Sequence, residues 1–434
     1  MPTPSLILVP ARFKTGKLYT PLATTSGGVV LGASGDFNVT RATTATRVNA
    51  SGLIEVVASG IPRLDYFASG GVVGCPALLV EPSAQNAFIQ SQTLFTSHLV
   101  QNLTTAGYAD VAISPDGTQN AEKFVPNTTN GVHGIADITS QTITSGTTYT
   151  FSCFAKSDGG TNYPLIVLQL DSSTAWGATR NAIFNVVSGT IHGSAPSGVT
   201  MRIQDYGSGW YRFSATATAV GSVTGQYQYR IYIPNSSATL TYAAASGNTE
   251  GVFVWGAQLE TGSVATSYIP TTAGTGSRSA DVISVSGAVS GSIGQTAGTI
   301  YCEFEVTNNT ANRRVIAISD GGATNRILLL TNNNTYFARI MSTDVTIGAL
   351  SVGYHKIAIG YQQSGVSGDI FVSVDGGAVV SGTANSFPPS LTHCFLGKSE
   401  SAVQDAFYIN ARIRAVALYT TRLTNAELAT LTTP

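Results

Sequence analysis

The stretch YTFSCFA at residues 149–155 sets Tyr149, Phe151, Cys153 and Ala155 on alternate positions. Successive side chains of an extended chain point to opposite faces, so an apolar period of two predicts a strand with one face in a core. The period returns at Tyr211, Phe213, Ala215 and Ala217, at Tyr227, Tyr229, Ile231 and Ile233, and at Ile300, Cys302, Phe304 and Val306. A further set, Ile370, Val372 and Val374, puts Ser373 and Asp375 on the solvent side. Half-buried antiparallel strands carry this pattern, and the fold class expected is all-β. After the last set, Asp375-Gly376-Gly377 tolerates the positive φ of a tight hairpin, with Val379-Val380 starting the return strand. One convincing helix start is Thr424-Asn425-Ala426-Glu427, a capping box that opens a short terminal turn through Leu428 and Leu431.

A chain of 434 residues exceeds one compact core and points to two or three domains. Its 46 glycines and 16 prolines punctuate many short segments, the pattern of sandwiches and barrels. Composition shifts around Glu81–Ser91 and Pro270–Gly298 divide it into 1–90, 91–270 and 271–434. Only 10% of residues are charged, and Lys+Arg 22 against Asp+Glu 23 leaves a net charge of -1. No basic stripe exists to displace counterions from phosphate, so neither nucleic acid nor an anionic membrane surface is an expected partner. With 43% hydrophobic residues the chain must bury a core, yet no run of about 18 apolar residues suggests a membrane helix. Met1–Pro10 lacks a basic leader and a long apolar stretch, so export by the usual route is not expected. Cys75, Cys153, Cys302 and Cys394 sit in apolar or strand-like stretches and are expected to be buried thiols; whether Cys302 and Cys394 meet is open.

Three stretches carry a resemblance. DFNVTRATTATRVNASGLIEVVASGIPRLDY at 36–66, with PALLVEPSAQN at 76–86, resembles the N-terminal module of tailed-bacteriophage virion proteins of the tail-fibre, head-fibre or decoration type. Residues 113–270, from ISPDGTQNAEKFV through GSGWYRFSATA to GVFVWGAQLETGSVATSYIPTT, resemble a carbohydrate-binding-module-like jelly roll. GYHKIAIGY at 353–361, SVDGG at 373–377 and INARIRAVALYTTRLTNAELATL at 409–431 resemble a laminin-G or concanavalin-A-like lectin sandwich. The resemblance implies tandem antiparallel β-sandwiches after a small N-terminal attachment region, in a non-enzymatic protein made in the host cytoplasm and mounted on a virion. It carries no site, because the matching residues are strands and turns.

Sugar recognition needs aromatic faces for a pyranose and polar groups for its hydroxyls. Trp210 and Trp255 lie in strands with apolar neighbours and are expected in the core. Trp176 falls in the polar stretch DSSTAWGATR at 171–180, where a large aromatic is costly to expose without a use, and becomes the candidate ligand platform. Tyr163, Asp171 and Arg180 are its nearest helpers, and a loop anchor or subunit contact is the alternative. In the last domain Asn333, Tyr336 and Arg339 form a candidate ligand loop, although asparagines of this kind also serve simply as turns. Asp320, Asp369, Asp375 and Glu260 leave a structural calcium open without calcium-loop spacing, and no other cofactor or metal is expected. Glu303 and Glu305 share a face as outward, solvated residues rather than a catalytic pair. No His occurs at zinc-ligand spacing, and His355 is expected to be a hydrogen-bonded core residue. Gly274-Thr-Gly276 reads as linker, not as a nucleotide loop.

The segment Ser5–Leu31 cannot form a core alone and reads as an arm that adds a strand to a neighbouring sheet or docks on another virion protein, or as a disordered leader. The expected function is adhesion to host or environmental glycan through many weak sites, from a homo-oligomer for which a trimer would suit a fibre. A purely structural capsid or tail protein, and a secreted bacterial carbohydrate-binding module, are the alternatives.

Overall fold

The computed structural model describes residues 1–20, 22–23, 29–30, 36–67, 74–307, 312–400 and 407–434. The chain is nearly all β, folded as tandem antiparallel sandwiches. No helix among the described residues is long and apolar enough to cross a membrane.

The central unit is a jelly roll. One sheet runs Leu103–Thr104, Gln119–Pro126, Val252–Thr261, Thr148–Ser157, Trp210–Thr218, Val199–Gly207 in spatial order. The facing sheet runs Leu99–Gln101, Gly134–Ala136, Tyr229–Tyr232, Leu165–Leu170, Arg180–Asn185, Thr190–Ile191. The alternating sets read from the sequence meet between them: Phe151, Cys153, Phe213, Ala215, Tyr229 and Ile231 share one buried cluster. The strand approach at Gly134 admits no side chain, since its φ is +154° and a Cβ there would lie 2.0 Å from the Ile231 carbonyl oxygen.

The second sandwich also has two sheets. One contains Val380–Ala384, Ser367–Val374, Gly353–Ser364, Ala297–Val306 and Ala411–Tyr419; the other contains Val282–Ser286, His393–Leu396, Arg313–Ser319, Arg326–Asn332, Thr335–Ile340 and Thr343–Ala349. Ile300, Cys302, Phe304, Ile357, Ile370 and Val372 from the first pack against Ile316, Ile318, Ile327, Leu329 and Cys394 from the second. Cys302 and Cys394 thus belong to one core, and both are free thiols.

Strands of the region 1–90 pair with strands of the second sandwich. Leu6–Leu8 and Ala77–Val80 pair along the same terminal strand, with Leu6 opposite Leu418 and Leu78 opposite Ile413, and Phe37–Thr40 pairs with Val282–Ser286. Apolar residues such as Leu6, Leu8 and Phe37 find their core only in the second sandwich. The Ser5–Leu31 arm therefore adds its strand to its own chain; most of the stretch from Pro21 onward lies outside the described residues. The Ala45–Val48 and Ile54–Val57 hairpin instead covers the outer face of the jelly roll, where Val48 and Ile54 pack with Phe154, Trp210, Trp255 and Tyr268. Trp210 and Trp255 are buried, in this layer between units rather than inside a sandwich.

Three local expectations need correction. Cys75 is exposed, because it precedes the Ala77–Val80 strand instead of lying in it. Ser373 is fully buried, because the Asn425–Thr432 helix lies over its face and the Ser373 and Thr432 hydroxyls hydrogen-bond at 3.0 Å. Asp375 and Gly376 do turn the chain with positive φ, but pairing resumes only at Val372 opposite Val380, so the loop is longer than a tight hairpin. The helix itself begins with the expected box: Thr424 accepts from the Glu427 N–H and Glu427 accepts from the Thr424 N–H.

Candidate functional site: the junction of the two sandwiches

Five charged side chains are buried where the three chain regions meet. Arg41 donates to Asp281 at 3.0 Å, Arg63 bridges Glu81 at 2.6 Å and Asp281, and Arg278 reaches Glu81 at 3.0 Å. Most of their remaining donors are taken up: Arg41 bonds the carbonyls of Thr43, Ala58 and Ile61, and Arg278 that of Pro82, while the Arg278 Nε has no partner among the described residues. Glu81 accepts from the Ser267 N–H at 2.7 Å and hydroxyl at 2.6 Å, which ties the end of the jelly roll to the hub. Burial alone pushes the Glu81 carboxyl up, and the guanidiniums of Arg278 and Arg63 more than reverse it, holding it well below the usual range. Burial likewise opposes the charge on Arg63, and Asp281 and Glu81 restore it. Such a hub specifies geometry more than it adds stability, because desolvation offsets most of the attraction.

Beside the hub a cleft of about 420 Å³ opens between the jelly roll, the Ala45–Val57 hairpin and the end of the second sandwich. Its volume lies in the range of small-molecule sites, and interfaces between units are where such sites occur. Phe67 and Tyr206, with ring centroids 4.9 Å apart, form an aromatic flank. Arg412 lies over the Phe67 ring at 4.7 Å and pairs with Asp65 at 2.6 Å and Glu305 at 2.8 Å. Glu305 and Glu303 do share a face, but that face is not open solvent: Glu303 pairs with Arg414 at 3.4 Å, and both carboxylates are half-buried.

The jelly-roll wall of the cleft is polar. On paired strands Gln204 faces Arg212 and Arg202 faces Ser214, so the four side chains form a two-by-two array on the outer face, and all four line the cleft. Arg212 is only 2% exposed; it donates to the Thr266 carbonyl and, at 3.1 Å, to the Ser152 hydroxyl, while its Nε has no partner among the described residues. Burial lowers the pKa of Arg202.

The residues singled out from the sequence lie elsewhere. Trp176 is not exposed on a loop: it ends the short helix Ser173–Trp176, capped by the Ser172 hydroxyl, and is 3% exposed, edge-on to Tyr149 and Tyr229. Arg180 donates to the Trp176 carbonyl at 2.8 Å, and Asp171 pairs with Arg230 and accepts from Thr179. Tyr163 is buried in another neighbourhood, stacked on Tyr242. Asn333 and Asn334 take positive φ and turn one strand into the next, which is the turn alternative. Tyr336 is buried against Phe304, whereas Arg339, on the opposite face of its strand, is clamped by Asp344 at 2.6 and 2.7 Å. Six of the seven are thus buried or held by neighbours in the chain, and Asn333 is exposed at its turn. Among the calcium candidates, Glu260 bonds Thr266, Asp320 bonds Asn325, Asp369 bonds Thr383 and Asp375 bonds His355, so each carboxylate serves its own neighbourhood. His355 is half-buried and hydrogen-bonded through both ring nitrogens.

No family model and no curated protein matches the chain. Among solved structures it is similar to the CBM40 domain of the Ruminococcus gnavus IT-sialidase bound to α2,3-sialyllactose, at 16% identity over 32% of this chain and 84% of that one, with a TM-score of 0.28. It is also similar to the NanB sialidase from Streptococcus pneumoniae, at 13% over 35% and 27%, TM-score 0.29. A third is the binding domain of Botulinum neurotoxin DC in complex with rat synaptotagmin II, at 10% over 35% and 39%, TM-score 0.28.

Proposed function

We propose that this chain is a non-enzymatic adhesion protein of a bacteriophage virion, presenting tandem β-sandwiches that bind host or environmental glycan. The observation that carries the binding part is the junction cleft, where an aromatic flank faces guanidinium, amide and carboxylate groups across a gap of about 420 Å³. The buried hub supports the display part, because it ties the N-terminal region and both sandwiches together and holds the cleft walls in register. The virion setting rests on the sequence resemblance at 36–66 and 76–86. In this reading the protein is made in the host cytoplasm and assembles as a homo-oligomer, whose copy number lets weak sites act together.

A purely structural role is the second reading. The burial of Trp176, Tyr163 and Tyr336 favours it, since the aromatics first assigned to ligand are spent on packing. Glycan arrays probed with the intact protein separate the two: saturable, inhibitable binding supports adhesion, and silence at high glycan density supports the structural role. Release of reducing ends from any polysaccharide would instead contradict a non-enzymatic protein.

A further inference from the structure

We infer that the junction cleft recognises an oxyanion-bearing sugar, a carboxylated or sulfated unit, through the array of Arg202, Gln204, Arg212 and Ser214. The inference rests on the glycan-binding reading and adds to it the site and the ligand chemistry.

The array follows from strand register. Arg202 and Arg212 are diagonal neighbours on one face of an antiparallel pair, at a spacing of about 7–8 Å between backbone positions that long side chains easily span. Two like charges so placed repel one another, and an anion between them relieves the repulsion. Arg212 is the decisive member. It is almost fully buried, it donates to neutral oxygens of Thr266 and Ser152, and its Nε has no partner among the described residues. Leaving such a donor unmade is costly, and a charged partner offsets the cost better than a neutral one. The acid nearest in effect, Glu260, is itself buried and already accepts from Thr266 and Gln258. Arg412 pairs with Asp65 and Glu305, and Arg47 with Glu55, so these two guanidiniums already face carboxylates. Gln204 and Ser214 complete the array with neutral groups suited to the hydroxyls next to an acidic substituent, and Phe67 and Tyr206 flank it with apolar surface for the ring.

The test is calorimetric titration of the full chain with three probes of matched length: trigalacturonate, a sulfated galactan trisaccharide and neutral galactotriose. The account expects at least one anionic probe to bind roughly tenfold or more tighter than the neutral one, with affinity falling as salt is raised. Arg202→Gln is expected to abolish the preference in a protein that still unfolds cooperatively. Arg212→Gln is the stronger lesion, and Arg202→Gln keeps the proposal testable should that variant fail to fold. The two anionic arms separate carboxylate from sulfate. Equal binding of all three probes, or anionic binding that survives both substitutions, overturns this inference and leaves glycan binding standing. Failure of every glycan on an array, neutral and acidic, overturns the underlying reading as well.

Discussion

Arg63 and Asp281, 218 residues apart in sequence, meet as a fully buried ion pair at the junction of the sandwiches. Glu81 holds the other edge of the same guanidinium, and the Glu81 and Asp281 backbones bond each other through Asp281 N–H to Glu81 carbonyl at 3.0 Å. The pair is thus a clasp between the start and the last third of the chain. Removing one partner strands a buried charge, so Arg63→Met is expected to cost about 3–5 kcal/mol. Calorimetry checks it: the variant is expected to melt lower and to split into separate transitions for the two sandwiches, while an unchanged single transition would show that apolar contacts alone hold the junction.

Glu122 gives a pH dependence of defined sign. It is 3% exposed, its Oε2 has no partner among the described residues, and burial pushes its carboxyl up to about 7. A carboxyl raised from 4.5 contributes stability that is full below about 4.5 and is lost as pH rises through about 7. Glu122→Gln is therefore expected to match or exceed the wild type at pH 8, by about 1–3 kcal/mol, and to lose that advantage at pH 5. Urea denaturation at the two pH values measures the difference.

His98 acts in the opposite direction. Its ring is buried against Phe88 and lies 3.8 Å from the Asp137 carboxylate, and burial pulls its pKa down to about 4. A histidine depressed from 6.5 supplies stability above that pH and withdraws it as pH falls towards 4. The wild type is expected to lose about 2–3 kcal/mol from this group over that interval, and His98→Gln to flatten that limb of the curve. A wild-type stability profile with no acid limb above pH 4, unaltered in His98→Gln, would contradict the assignment.

Trp176 separates packing from recognition. Trp176→Ala is expected to destabilise the jelly roll by about 3–5 kcal/mol, as a large buried side chain does, while Trp176→Phe keeps the fold at a smaller cost. Glycan binding by the folded Trp176→Phe variant is expected to equal that of the wild type. A selective loss of binding at full stability would return Trp176 to the site.

Strands were legible because each core face obeys a period of two, as at Tyr149–Ala155 and Ile300–Val306, and the helix because its capping box is a local four-residue pattern. What escaped reading was long-range. Leu6–Leu8 looks like an orphan strand until its partner, more than 400 positions away, is placed beside it. The same distance hides the hub: Arg41, Arg63, Glu81, Arg278 and Asp281 are scattered singly, and only their presence inside apolar or turn stretches of a chain with 10% charged residues marks them. Trp176 misled because its neighbours are polar; Ser172 and Asp171 are polar for capping and pairing, not for solvent contact. Arg202 and Arg212 form an array only through the pairing of their strands, and sequence spacing carries no trace of it.

The most direct test is a glycan array probed with the intact, assembled protein at high glycan density, alongside its Arg202→Gln variant. The account predicts saturable binding concentrated on acidic glycans and lost in the variant. No binding to any glycan by a protein that is folded and oligomeric would contradict it.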